Sequence, residues 1–381
     1  MRLTPSIENN PYFYKKNMRN LSIVLCLLIY GFSHSQSIWR NVGANDFNQP
    51  AVEGMNLSDG VPMVVKNGNV YFMDWEQWFV MSKYSNGQWN RIVTPFFIPV
   101  SSVYAPPFKF EVDHNEVPYF FLNDPLNNNK ATVKKYDGVN WVDVGGVTIS
   151  STSSPILEMT LGNDGLPFVI YKEGSEIMAK KFDGTTWISI PTADLQDLTG
   201  VTLKIDHNGV PIVLYTYDAP YATSVVRKFN GSDWVEVGIT GFQGKSSALC
   251  IDSNNQLYVV SGVNLRKFDG TSWQLISPPP FFGYYANLAV DTENNIYSSY
   301  ANSTATLKGI SKLSNGTWQV LFSETSYGEF TMAIDGNNIY EQHKENSRYP
   351  VVTKLTGTTW EILGDVCDFP INYYGASKTM I

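Results

Sequence analysis

At 381 residues the chain has room for two or three average domains, or for one large repeat architecture. Charged residues make up only 16% and aromatic residues 14%, a balance that suits many short strands and tight turns rather than long amphipathic helices. The formal net charge of −8 repels phosphate backbones and argues against a nucleic-acid partner, and the apolar runs are too short for several membrane spans.

Residues 1–36 read as a signal peptide, followed by a single domain over 37–381. Lys15, Lys16 and Arg19 supply a positive flank, Leu21 to Phe32 an apolar core, and Ser33 and Ser35 a small-residue cleavage site beside Gln36. Met18 is an alternative start for a shorter signal, and an uncleaved membrane anchor is the competing reading. Cys26 lies inside the apolar run after Leu25, which disfavours a lipoprotein. Loss of residues 1–35 removes four basic residues and one acidic one, leaving a net charge of −11 and no transmembrane span. The reading therefore places the mature protein outside the cell or on its surface. Cys250 and Cys367 then remain, enough for one disulfide or two buried thiols, without metal-ligand spacing.

One motif recurs along the rest. It is seen in Lys83-Tyr-Ser-Asn-Gly-Gln-Trp89, Lys135-Tyr-Asp-Gly-Val-Asn-Trp141, Lys181-Phe-Asp-Gly-Thr-Thr-Trp187 and Lys228-Phe-Asn-Gly-Ser-Asp-Trp234. It returns in Lys267-Phe-Asp-Gly-Thr-Ser-Trp273, Lys312-Leu-Ser-Asn-Gly-Thr-Trp318 and Lys354-Leu-Thr-Gly-Thr-Thr-Trp360, while Trp39 carries its second half alone. Successive Trp spacings of 50, 52, 46, 47, 39, 45 and 42 match the length of a four-stranded propeller blade. Physically the motif is a hairpin: an apolar residue ends one strand, Asp-Gly or Asn-Gly makes the turn, and Trp opens the next strand. The eight motif tryptophans are expected to be structural, each filling the gap between neighbouring blades.

A second hairpin precedes each motif, as in Phe110-Glu-Val-Asp-His-Asn-Glu-Val-Pro-Tyr-Phe120 and Leu203-Lys-Ile-Asp-His-Asn-Gly-Val-Pro-Ile-Val213. Each unit is thus four strands, a to d, and the expected fold is an all-β propeller of four-stranded antiparallel blades. Seven complete units run from about Val61 to Gly364. Either seven blades close the ring, or the two chain ends belong to an incomplete eighth.

These turns resemble those of bacterial β-propellers whose blades carry Asp-x-Asn-Gly-x-x-Tyr or Asp-box-like turns before a Trp. The Asp-box of sialidase-type propellers is similar to Asp183-Gly-Thr-Thr-Trp187 but one residue longer. The resemblance implies the fold and leaves function open among lectins, hydrolases, lyases and scaffolds. Sialidase-like catalysis would need clustered arginines. Of Arg40, Arg91, Arg227, Arg266 and Arg348, all but the last flank blade motifs.

In such blades the a–b and c–d turns share one face, and the b–c and d–a loops the other. On the first face Asp113, Asp206, Asp252, Asp291 and Asp335 are expected to serve turn geometry. His114 and His207 repeat one turn position, which leaves little material for a histidine-based metal site or triad. The second face holds the variable segments, and its candidate ligand-binding residues are Asp74, Trp75, Glu76, Trp78, Tyr217, Tyr221, Phe282 and Tyr284. Aromatic faces stack on sugar rings, while carboxylates bind hydroxyls. The competing reading has these rings packing loops together.

No catalytic residue, cofactor or metal is expected. The function read from the sequence is a secreted, non-catalytic propeller binding a glycan or a cell-surface protein. The alternatives are a carbohydrate-active hydrolase or lyase, for example through Asp74 or Glu76 with Asp218 or Glu173, and a scaffold module of a surface protein.

Overall fold

The computed structural model describes residues 63–75, 79–93, 108–195, 198–217, 222–244, 246–262, 264–276, 287–301, 307–324, 330–345 and 349–364. They form seven four-stranded antiparallel blades, each built from strands consecutive in the chain. Blade one comprises β1 (Met63–Lys66), β2 (Asn69–Trp75), β3 (Phe79–Ser85) and β4 (Gln88–Val93). Blade two comprises β5 (Phe108–Val112), β6 (Pro118–Asp124), β7 (Lys130–Tyr136) and β8 (Trp141–Asp143). Blade three comprises β9 (Ile156–Leu161), β10 (Pro167–Glu173), β11 (Glu176–Phe182) and β12 (Trp187–Ile190). Blade four comprises β13 (Thr199–Ile205), β14 (Pro211–Tyr217), β15 (Thr223–Phe229) and β16 (Trp234–Glu236), with the short β17 (Phe242–Gln243) also paired to β15. Blade five comprises β18 (Ser246–Ile251), β19 (Leu257–Ser261), β20 (Asn264–Phe268) and β21 (Trp273–Ile276). Blade six comprises β22 (Asn287–Val290), β23 (Ile296–Ala301), β24 (Lys308–Ser314) and β25 (Thr317–Glu324). Blade seven comprises β26 (Phe330–Asp335), β27 (Asn338–Glu345), β28 (Tyr349–Thr356) and β29 (Thr359–Ile362).

The inner strand of each blade packs on that of the next, and β1 also packs on β26, so seven blades close the ring. The eight-blade alternative is thereby set aside. Trp39 and the C-terminal tail lie outside the described residues.

Strand alternation sends successive side chains to opposite faces of each blade, and the core is the stack of interfaces between blades. Tyr119 and Phe121 of blade two meet Val169 and Tyr171 of blade three. Ile212 and Leu214 of blade four meet Leu249 and Val259 of blade five. The motif tryptophans of the described blades open the outermost strand, and Trp187, Trp234, Trp273 and Trp360 clamp their blades to the preceding one. The indole N–H of Trp187 donates to the Val144 carbonyl at 2.8 Å, that of Trp234 to Pro191 at 2.9 Å and that of Trp273 to Val237 at 2.7 Å. At Val144 and Val237 the residue after the acceptor is a glycine, and the close approach of the ring requires it. A Cβ on Gly145 would stand 2.6 Å from the Phe182 ring and 2.8 Å from Trp187, and its φ of +68° disfavours other residues.

Turn chemistry follows the sequence closely. In the a–b turns Asp206 Oδ1 accepts from the Asn208 and Val210 amides, both at 2.9 Å, and Asp252 and Asp291 repeat this. In the c–d turns Asp183 Oδ1 accepts from Thr185 and Thr186, with Gly184 at φ +100°. The motif lysine has its own partners: Lys312 Nζ lies 5.3 Å from the Tyr297 ring centre and 3.6 Å from Asp291.

Candidate functional site

The a–b turns are joined around the ring, which leaves their polar groups little freedom. Asn67 donates to Glu116 across blades one and two at 3.2 Å, and Asn163 to the Asp206 carbonyl across three and four at 3.0 Å. His207 bonds the Asp252 carbonyl through Nε2 and Asn255 through its amide, so this histidine is structural. Ser253 donates to Asn294, Thr292 to Asn337, and the Gly68 amide to Asp335, which completes the circuit from blade five back to blade one. Between blades two and three the contact is packing of Gly165 under His114. The cleft between blades three and four, lined by Leu166, Ile188 and Phe229, has its charges paired, with Lys181 3.0 Å from Asp164.

The second strands of the blades behave differently when aligned on their shared turn. Five read Tyr71-Phe-Met-Asp74, Tyr119-Phe-Phe-Leu122, Phe168-Val-Ile-Tyr171, Ile212-Val-Leu-Tyr215 and Tyr258-Val-Val-Ser261. Blade six then reads Tyr297-Ser-Ser-Tyr300 and blade seven Tyr340-Glu-Gln-His343. The two middle positions, apolar in blades one to five, are polar in the last two. They are also buried: Glu341 is 1% exposed and Gln342 fully enclosed.

Alternation along β27 turns Glu341 and His343, with Ile339, toward blade six, because Ile339 packs with Tyr297 and Ile310 there. From the same wall Thr353 of β28 is paired with Glu341 in register. From the opposite wall Ser299 and Lys308 share their blade face with Ile310. Lys308 is 1% exposed. The half of this interface nearest the b–c loops is therefore polar, where the equivalent interfaces between blades one to five hold Leu122, Val133, Leu214 and similar side chains.

Within it the His343 Nδ1 lies 2.8 and 3.1 Å from the two Glu341 oxygens, and Thr353 Oγ1 donates to Glu341 Oε1 at 2.8 Å. A buried carboxylate is thus held by a hydroxyl and an imidazole, in the manner that orients a functional histidine. The His343 side chain keeps 19% of its surface exposed, and its Nε2 bonds no group among the described residues. Gln342 faces the other way, toward blade one, as Tyr340 does, and among the described residues neither amide atom is hydrogen-bonded. A buried unpaired amide is costly, and such groups in native proteins commonly mark bound water or function.

Sequence reasoning missed this cluster. It judged histidine material too sparse, although the β27 register against the other second strands was legible. Its own candidates sit elsewhere. Asp74 and Trp75 end β2, pairing in register with Val80 and Phe79, so the b–c connection is only residues 76–78. Tyr217 ends β14 and packs 6.0 Å from Tyr215 at the interface of blades three and four, apart from the polar cluster. Glu76, Trp78, Tyr221, Phe282 and Tyr284 lie outside the described residues. Cys250 is a buried free thiol, and Cys367 is outside the described region. Among the described residues no group of three His, Cys, Asp or Glu side chains could hold a metal.

No protein-family model matches the chain, and no curated protein matches it. Among solved structures it is similar to a puromycin-hydrolysing peptidase of Mycobacterium tuberculosis, with a TM-score of 0.60 and 10% identity over 84% of this chain and 56% of that one. The chain spans about half the length of that peptidase. It is also similar to the virginiamycin B lyase of Staphylococcus aureus, with a TM-score of 0.53 and 10% identity over 75% of this chain and 92% of that one. What the chain shares with these peptidase and lyase propellers is the seven-bladed all-β fold.

Proposed function

We propose that the protein is an exported binding propeller that holds a glycan at its b–c and d–a loop face, at the mouth of the interface between blades six and seven. The observation that carries this reading is the break in the second-strand pattern, where Glu341 and Gln342 stand in place of the apolar pair of blades one to five and His343 follows them. Natural folds depart from their own packing rule chiefly where function requires it. A mixed set of carboxylate, imidazole, ammonium and hydroxyl groups matches the alternating donors and acceptors of a sugar. On the opposite face the polar groups are tied to one another, as Glu116 is to Lys83, Tyr71 and Asn69. The aromatic segments around Trp75, Trp78, Tyr221, Phe282 and Tyr284 would supply stacking surfaces on the loop face.

Glycan-array binding of the purified chain tests the reading. Array hits should weaken more than about tenfold, roughly 1.4 kcal/mol, on His343→Ala and on Trp75→Ala or Trp78→Ala, with the melting temperature retained. Absence of any hit, or equal binding by the His343 variant, would refute it.

A further inference from the structure

We propose that His343 is a general base and that the site hydrolyses ester groups carried by its saccharide ligand, an activity that rests on the binding site described above.

The tautomer is set by Glu341. A carboxylate only accepts hydrogen bonds, so with Nδ1 2.8 Å from Glu341 Oε1 the ring proton sits on Nδ1 and the lone pair of the neutral imidazole on Nε2. Thr353 Oγ1 donates to the same Glu341 oxygen at 2.8 Å. Nε2 belongs to a side chain that is 19% exposed, at the loop end of the interface where a ligand arrives. Among the described residues no serine, threonine or cysteine bonds it, and the proton it takes is assigned to water. Glycoside cleavage needs two carboxyl groups free to flank the bond. Here the carboxylate beside His343 is already engaged by the imidazole and a hydroxyl. A base with the buried ammonium of Lys308 on the facing wall suits instead a reaction in which negative charge grows on oxygen.

In the step, the water oxygen bonds the acyl carbon as Nε2 takes one water proton, and the carbonyl electron pair moves onto its oxygen on the Lys308 side. Collapse re-forms the carbonyl and breaks the bond to the sugar oxygen, which takes the proton back from Nε2. The products are a carboxylic acid and a free sugar hydroxyl, and nothing is oxidised or reduced. Glu341 acts through His343 and is a positioning residue.

The full chain, His343→Gln and Glu341→Gln are assayed for release of acetate from O-acetylated xylan and of nitrophenol from 4-nitrophenyl acetate, with melting temperatures measured alongside. General-base loss should lower kcat by about 100-fold or more in His343→Gln, and Glu341→Gln should lower kcat with KM nearly unchanged. Nitrogen NMR of histidine-labelled wild-type chain should show Nε2 unprotonated and Nδ1 protonated in the neutral His343 ring. Array binding without hydrolysis of either ester would overturn the activity and leave the binding site standing. Hydrolysis equal in wild type and His343→Gln, a proton on Nε2 in the neutral ring, or neither binding nor hydrolysis would overturn it as well.

Discussion

The indole of Trp89 in the first blade donates to the carbonyl of Leu363 in the last at 2.7 Å, so the bond that Trp187, Trp234, Trp273 and Trp360 make to their preceding blades also closes the ring. Gly364 follows at φ +76°, and a Cβ there would stand 2.6 Å from the Trp89 ring. Among the described residues no strand is exchanged between the first and last blades, which makes this clamp and the apolar packing of Met63, Val65, Val70, Tyr340 and Val352 the closure itself.

Trp89→Ala should therefore cost about 3–5 kcal/mol, the range for a large core truncation, and Trp187→Ala should cost a similar amount. Gly364→Ala should cost on the order of 1–3 kcal/mol through backbone strain and the clash with the indole. Urea unfolding of the three variants checks this. A wild-type midpoint for Trp89→Ala would mean that the ring does not depend on the clamp.

Acid should loosen the junction of blades one and two. Glu116 accepts from Lys83 at 2.8 Å, Asn69 at 2.8 Å and Tyr71 at 2.9 Å, and the Lys83 bond above all brings its carboxyl down from 4.5 to about 2. A depressed folded-state value means stability that is complete above the unfolded value and lost as pH falls through the folded one. Wild type should lose stability from about pH 4.5 toward pH 2, and Glu116→Gln should show a flatter profile there. Thermal melts across that range decide it, and parallel profiles for the two proteins would dismiss the assignment.

Glu111 on β5 carries the opposite sign. Burial raises the Glu111 carboxyl above its ordinary range, against the pull of Lys204, Lys66 and Lys109. Its ionised form is then disfavoured in the folded chain, a penalty absent below the unfolded value of 4.5 and growing as pH rises above it. Glu111→Gln should be more stable than wild type at neutral pH, with the gap closing in acid. A less stable variant at neutral pH would show that the lysines need the charge.

Burial also pushes the Cys250 thiol up to about 12, leaving almost no thiolate at neutral pH. Peptide mapping after iodoacetamide treatment should find Cys250 unmodified in the native chain and alkylated once urea unfolds it. Rapid native labelling of that peptide would contradict its packing with Ala248, Tyr258 and Leu288.

The repeat is legible in the order of residues alone because turns and strand alternation are local. Asp-Gly or Asn-Gly before a Trp dictates a hairpin within a few residues, and seven copies dictate seven blades of four strands. Local chemistry could not say whether chain ends add an eighth blade, because closure depends on the sum of small rotations between blades and is realised only where Trp89 meets Leu363. Nor could it set Lys308 of blade six opposite Glu341 and His343 of blade seven, residues more than thirty positions apart in the chain whose common interface exists only when the blades stack. The β27 segment Glu341-Gln342-His343 is, by sequence, an ordinary polar stretch. It becomes a paired polar cluster because a propeller buries both faces of its second strands, so that a carboxylate there must find a hydroxyl and an imidazole for partners.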